Sequence, residues 1–309
     1  MRRAALVLGG ILAAAGAGEV FLRTATFVRS VRDIETARWV LFVARRDASA
    51  PLDGGGGLTA PRALRPGLVR ERLVRGKLQR FSTAACPAPS VGFRRNGAGD
   101  DAPVWGVALG DSILEGAHVS DEETFTARLS ALIGRRVVNL SVRAQGASAH
   151  LARLKASGFL AARPRVIIVQ LYPNDVVDDE RADLPASAEP RPGRAEAWAL
   201  EHVRLWWLYR WVWAAEGTRH HPQGGETGRR LQREALSGFA RLAKATGARL
   251  LVLQDGLDAR RDYGWEAPAG TLFVDARVLR SETLLFDGHW TAAGHDRVAR
   301  AVAAALVPY

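Results

Sequence analysis

Four short blocks of this 309-residue chain hold residue types that together could carry out nucleophilic acyl transfer. GDSILEG (110–116) offers the hydroxyl of Ser112, NLSVRAQGAS (139–148) offers backbone amides from Ala144 to Gly146, YPND (172–175) offers the carboxamide of Asn174, and DGHW (287–290) offers Asp287 and His289. Serine is a poor nucleophile at neutral pH unless an imidazole takes its proton, and a carboxylate on the other ring nitrogen fixes the useful tautomer. A donor aimed at the developing oxyanion lowers the barrier by about 2.7–4 kcal/mol. Other chemistries find little support. APSVG (88–92) departs from the G-x-S-x-G elbow, because Ala88 replaces its first glycine and no clear strand precedes it. No phosphate-binding loop, zinc-binding helix or dinucleotide fingerprint occurs, so no cofactor is expected. His118, His150, His220 and His221 lack ligand spacing, and the acidic run Asp175, Asp178, Asp179, Glu180 reads as a solvated loop, so no metal is expected either.

These blocks need a scaffold that brings them together, and the pattern from Pro103 onward supplies one. Short apolar runs at 104–109, 136–140, 165–171, 249–254 and 271–275 alternate with segments of helical period. That alternation predicts a parallel five-stranded sheet with crossover helices, in which ligands bind beyond the carboxyl ends of the strands. Phe125, Leu129 and Leu132 form one apolar helix face; Leu231, Ala235, Phe239 and Leu242 form a second, and Val298, Val302 and Leu306 a third. Gly134 and Gly247 stand where helix C-caps belong. An insertion at 185–228 holds five of the nine tryptophans. Within it Trp198, His202, Trp206, Tyr209 and Trp213 line one stripe, and Leu200, Val203, Trp207 and Trp211 a second. Such a helix can cover the sheet, act as a lid over a pocket or touch a membrane surface.

Residues 1–22 carry the targeting signal. Ala4 to Gly18 is free of charge, and Val20 to Leu22 prolong the apolar run past Glu19. Nineteen helical residues reach roughly 28 Å, about a bilayer core. An uncleaved anchor is expected, with the remainder on the extracytoplasmic side; cleavage within the small residues 13–18, followed by secretion, is the alternative. Residues 23–98, with DGGGG at 53–57, read as a linker and small N-terminal subregion, followed by the main domain at 99–309. The net charge is +11, yet all basic residues but Lys77, Lys155 and Lys244 are arginine, and they are scattered without a long basic run. No nucleic-acid partner is expected. The single cysteine, Cys86, excludes an internal disulfide, so stability must come from a buried core.

In GDSILEG, YPND and DGHWTAAGH, the chain from about 103 to 309 resembles the GDSL or SGNH hydrolases, serine esterases and acyltransferases with a flavodoxin-like three-layer α/β/α fold. LRPG (64–67) and VGFRRN (91–96) look like segments that precede this domain in membrane-anchored bacterial members. The resemblance implies Ser112 as nucleophile, His289 as base and Asp287 as its orienting carboxylate. It places the oxyanion between the N–H of Ser112, the N–H of the second block and the side chain of Asn174. Register puts that second N–H at Ala144, where the family carries glycine, with Gly146 as the alternative; an alanine keeps the N–H and serves if its φ is negative, whereas a glycine-only conformation there would be strained. Asp287 and His289 are one residue closer than the family's common spacing, leaving Asp275 as another orienting group and His295 as a competing base. The implied activity is hydrolysis of a small-molecule or glycan ester at the cell envelope. O-acyl transfer to a glycan and a catalytically silent, membrane-tethered binding module are the alternatives.

Overall fold

The computed structural model describes residues 2–24, 34, 36, 38–39, 49–52, 61–74, 76–97, 101–180, 194–206, 209, 225–284 and 288–306. It opens with helix α1 (Arg2–Thr24), whose window Val7–Thr24 has a mean hydropathy of 1.3 and is only 6% buried. Five short strands follow: β1 (Ser49–Pro51), β2 (Arg62–Leu64), β3 (Val69–Val74), β4 (Lys77–Ala85) and β5 (Gly92–Arg94). The regular α/β part then runs β6 (Val104–Leu109), α2 (Ser112–Glu115), α3 (Phe125–Ile133), β7 (Arg136–Asn139), α4 (Ala147–Ser157), β8 (Val166–Leu171), α5 (Asp175–Glu180), α6 (Arg194–His202), α7 (Glu226–Thr246), β9 (Arg249–Gln254), α8 (Ala259–Tyr263), β10 (Leu272–Asp275) and α9 (Ala292–Leu306).

All five expected strands form, and they pair in parallel in the order β7–β6–β8–β9–β10. β8 shows why: all six of its residues are buried, with Val166 and Ile168 facing one layer and Ile167, Val169 and Leu171 the other. A strand covered on both faces must be apolar at every position rather than at alternate ones. α3 and α9 close the first face through Phe125, Leu129, Val298 and Val302, while α4 and α7 close the second through Leu154, Leu236 and Phe239. Each such side chain contributes about 1.5–3 kcal/mol of hydrophobic stabilisation on full burial. α3 and α7 end on left-handed glycines, Gly134 (φ 64°) and Gly247 (φ 73°), as their positions predicted.

The sheet does not stop at β7. β5 pairs antiparallel with β7, β2 with β5 and β1 with β2, while β4 joins β5 and folds back on β3. The region read from sequence as poorly periodic therefore widens the sheet. Three of its five strands have only three residues, too few to display an alternation. A buried guanidinium locks this extension to the main domain. Arg94 Nε donates to Asp121 Oδ1 (2.8 Å), and its two Nη atoms donate to the carbonyls of Arg80, Glu115, Gly116 and Val119. Asn96 adds two more ties, donating to the Val137 carbonyl (2.7 Å) and accepting from the Thr126 hydroxyl (2.7 Å).

Candidate active site

β6 lies between β7 and β8, so the loops leaving these three strands open side by side at one sheet edge. Those loops carry Ser112, Ala144 and Asn174, with the serine in the centre. Pairing also continues past the end of β7: Leu140 N–H donates to the Ala108 carbonyl (2.8 Å) and Val142 N–H to the Gly110 carbonyl (3.1 Å).

Ser112 opens the four-residue helix α2. Asp111 caps that helix, its carboxylate accepting from Ile113 N–H at 2.9 Å. His289 arrives from the other end of the chain on a loop held by the Thr283–Trp290 bridge and by Leu284 N–H donating to the His289 carbonyl (2.8 Å). Its Nε2 lies 2.7 Å from Ser112 Oγ, although 177 residues separate the two. That is hydrogen-bond distance, short enough for direct proton transfer. Asp287 lies outside the described residues.

The alternative groups are engaged elsewhere. Asp275 is bound by the Arg277 guanidinium at 2.6–3.0 Å, which lowers its pKa. His295 is fully buried with Nδ1 accepting from Phe125 N–H (3.1 Å), and burial pushes its pKa down to about 3, leaving a neutral packing group.

Glu115, at the far end of α2, sets the second block. Its buried carboxylate accepts from Arg143 N–H (2.6 Å) and binds the Arg143 guanidinium. The next residue, Ala144, has φ +53°, so of the two cases the strained one occurs. Alanine occupies the left-handed region that favours glycine, at a cost of about 1–2 kcal/mol. Gly146 differs: with φ −85° it precedes α4, and a Cβ there would come within 2.4 Å of Asp179 Oδ1 and 2.5 Å of the Asp175 carbonyl. Close packing, rather than a left-handed turn, makes it glycine.

Asn174 stands in the turn between β8 and α5, its Nδ2 3.3 Å from Asp178 Oδ2 and its Oδ1 buried. The acidic run read as a solvated loop is instead α5, with Asp175 and Asp179 buried. Burial, reinforced by Asp111, raises the Asp175 pKa well above the usual range, and burial raises Asp179 to about 7. Asp111 is raised as well, mainly by burial and partly offset by His289.

Two neighbours of this site were not picked out from the sequence. His118, nearly buried, has its ring 4.1 Å from that of His289, and it lines a cavity of about 340 Å³ with Lys77, Thr283, Leu284 and Thr291. Asp255 follows β9, buried against the site, with its pKa pushed up to about 7 by burial and then by Asp111. Asp255 has a sequence signal, since it directly follows the fourth apolar run of the parallel sheet, whereas His118 has none.

No protein-family model matches the chain, and no curated protein does. Several solved structures are similar to it in shape. One, from Desulfitobacterium hafniense DCB-2, is described as lipolytic and of the G-D-S-L family; it is 14% identical, with 65% of this chain and 98% of that one covered, at a TM-score of 0.44. A carbohydrate esterase family 2 enzyme with a carbohydrate-binding domain, from Corynascus thermopiles (Myceliophthora fergusii), is 14% identical, with 75% of each chain covered and a TM-score of 0.46. The acetyl xylan esterase Est2A from Butyrivibrio proteoclasticus is 12% identical over 70% of this chain and 66% of its own, at a TM-score of 0.43.

Proposed function

We propose that the chain is a serine-dependent ester hydrolase of the GDSL or SGNH type. The observation that carries the reading is the 2.7 Å contact between Ser112 Oγ and His289 Nε2 at the centre of three adjacent strand-end loops. His289 takes the hydroxyl proton as Ser112 attacks the ester carbonyl, and Asp287 orients the imidazole. The N–H groups of Ser112 and Ala144 and the Asn174 amide hold the oxyanion. Collapse of the tetrahedral intermediate expels the alcohol, which receives the proton from His289. Water, activated by the same imidazole, then releases the acid from the acyl-enzyme. Asn174 must turn its Nδ2 away from Asp178 to donate, a rotation about a single side-chain torsion.

The exposed apolar surface of α1 supports membrane anchoring, and in this proposal the catalytic part, 99–309, faces the extracytoplasmic side. Ser112→Ala should abolish hydrolysis of a small aryl acetate and labelling by a fluorophosphonate, with the circular dichroism spectrum unchanged. Undiminished turnover would overturn the assignment.

A further inference from the structure

Glu19 and Arg23 of α1 meet a segment almost the whole chain away. The Glu19 carboxylate accepts from the backbone N–H groups of Arg204 (3.1 Å) and Leu205 (3.0 Å). One turn further along, the Arg23 guanidinium donates to the His202 carbonyl (2.9 Å) and to Glu19 itself (2.9 Å). Between these contacts the tryptophan-bearing helix breaks: α6 ends at His202, and helical residues resume at Arg204. Helix ends leave amides and carbonyls without partners inside the helix. Here Glu19 satisfies amides that open the second stretch and Arg23 a carbonyl that closes the first, so one turn of α1 caps both sides of the break. Gly18 lies against Leu205, where a Cβ would already touch that side chain at 3.4 Å.

This explains the one charge in the apolar run. A carboxylate inside hydrocarbon is costly unless it is paired and hydrogen-bonded, and Glu19 is both. It lies near the end of the apolar run, with Val20 and Phe21, 60% and 52% exposed, just beyond it. Below it, Val7, Leu8, Ile11 and Leu12 are each about 60% exposed, and no position from 4 to 18 is charged. A helix apolar on every side calls for lipid rather than for a protein partner along one stripe. Beside this end of α1 stand Trp198 (59% exposed), stacked on His202 at 5.0 Å, and Tyr209 (50% exposed), stacked on Trp206 at 5.1 Å. Tryptophan and tyrosine concentrate at the headgroup layer, where an amphipathic ring meets both media.

We infer that residues 194–206, together with Tyr209, form an interfacial lipid-binding element, fixed to the end of the membrane-inserted α1 by the Glu19 and Arg23 caps. The inference rests on the membrane anchoring proposed above and adds a second, peripheral contact. The test uses the full chain in phosphatidylcholine vesicles, with Trp198→Cys labelled by an environment-sensitive fluorophore. Cys86 does not compete for the label, because burial pushes its thiol up to about 12. The expected result is quenching of the label by nitroxide lipids carrying the spin near the headgroup, and loss of that quenching in the additional Glu19→Ala variant while the protein still floats with the vesicles. A label open to aqueous iodide and untouched by lipid quenchers, on protein that floats, would overturn the interfacial contact and leave the anchor standing. Quenching that survives Glu19→Ala would overturn the capping role. Protein that does not float would instead remove the membrane reading itself.

Discussion

The two ends of helix α2 treat buried charge in opposite ways. Around Ser112 at its start lie the buried carboxyls of Asp111, Asp175 and Asp255, all with raised pKa values, and the His289 imidazole 2.7 Å from its hydroxyl. Around Glu115 at its end, the buried carboxylates of Glu115 and Asp121 are matched to the guanidinium groups of Arg143 and Arg94. Within one four-residue helix, a corner whose carboxyl pKa values are raised gives way to one whose charges are paired. In the proposed reaction the oxyanion develops on the substrate carbonyl beside Ser112, where raised carboxyl pKa values lessen opposing charge, whereas a joint between sheet segments profits from satisfied charges that hold one geometry.

Breaking the paired end should have the largest effect. Arg94→Met leaves Asp121 buried without its partner, and urea denaturation should show a loss of about 3–5 kcal/mol. A loss below 1 kcal/mol would mean that the joint does not need its charge. At the reactive end, Asn174→Ala should lower kcat by about a hundredfold to a thousandfold, equivalent to about 2.7–4 kcal/mol, with little change in stability. Unchanged kcat would remove Asn174 from the oxyanion site.

Asp255 sharpens the contrast through pH. Its folded pKa of about 7 lies above the unfolded value, so the protonated form favours the folded state. The stability it contributes is full below pH 4 and disappears as pH rises through about 7. Asp255→Asn should therefore stabilise the protein at pH 8 by roughly 2–4 kcal/mol, with the gain vanishing toward pH 4. A pH-independent difference in denaturation midpoint would contradict this. The smallest effect belongs to Ala144→Gly. Relief of about 1–2 kcal/mol of left-handed strain is partly offset by about 0.5–1 kcal/mol of glycine backbone entropy, so a net gain of about 0.5–1 kcal/mol is expected in thermal denaturation. Destabilisation would show that the methyl group packs usefully.

The parallel sheet was legible because strands buried on both faces are written as nearly continuous apolar runs, of which VIIV at the start of β8 is the plainest. The strand-end rule then set Ser112, Ala144 and Asn174 on neighbouring loops. The antiparallel strands were not legible, since β1, β2 and β5 gain their places from partners distant in sequence rather than from a pattern of their own. Arg94 reads as one arginine among many until its five acceptors are seen. The conformation of Ala144 was equally hidden, because the force holding it comes from Glu115, twenty-nine positions earlier in the chain.

The pairing of β5 onto β7 also bears on solubility. A strand at a sheet margin presents unsatisfied amides and carbonyls to any passing chain, a common route to aggregation. The five short strands cover that margin on one side, while β10, only four residues long, forms the other. A fragment trimmed to start at residue 99 would retain Ser112 and His289 but lay β7 bare, and recombinant production of the isolated 99–309 part should fail by self-association even though the Ser112–His289 pair is present.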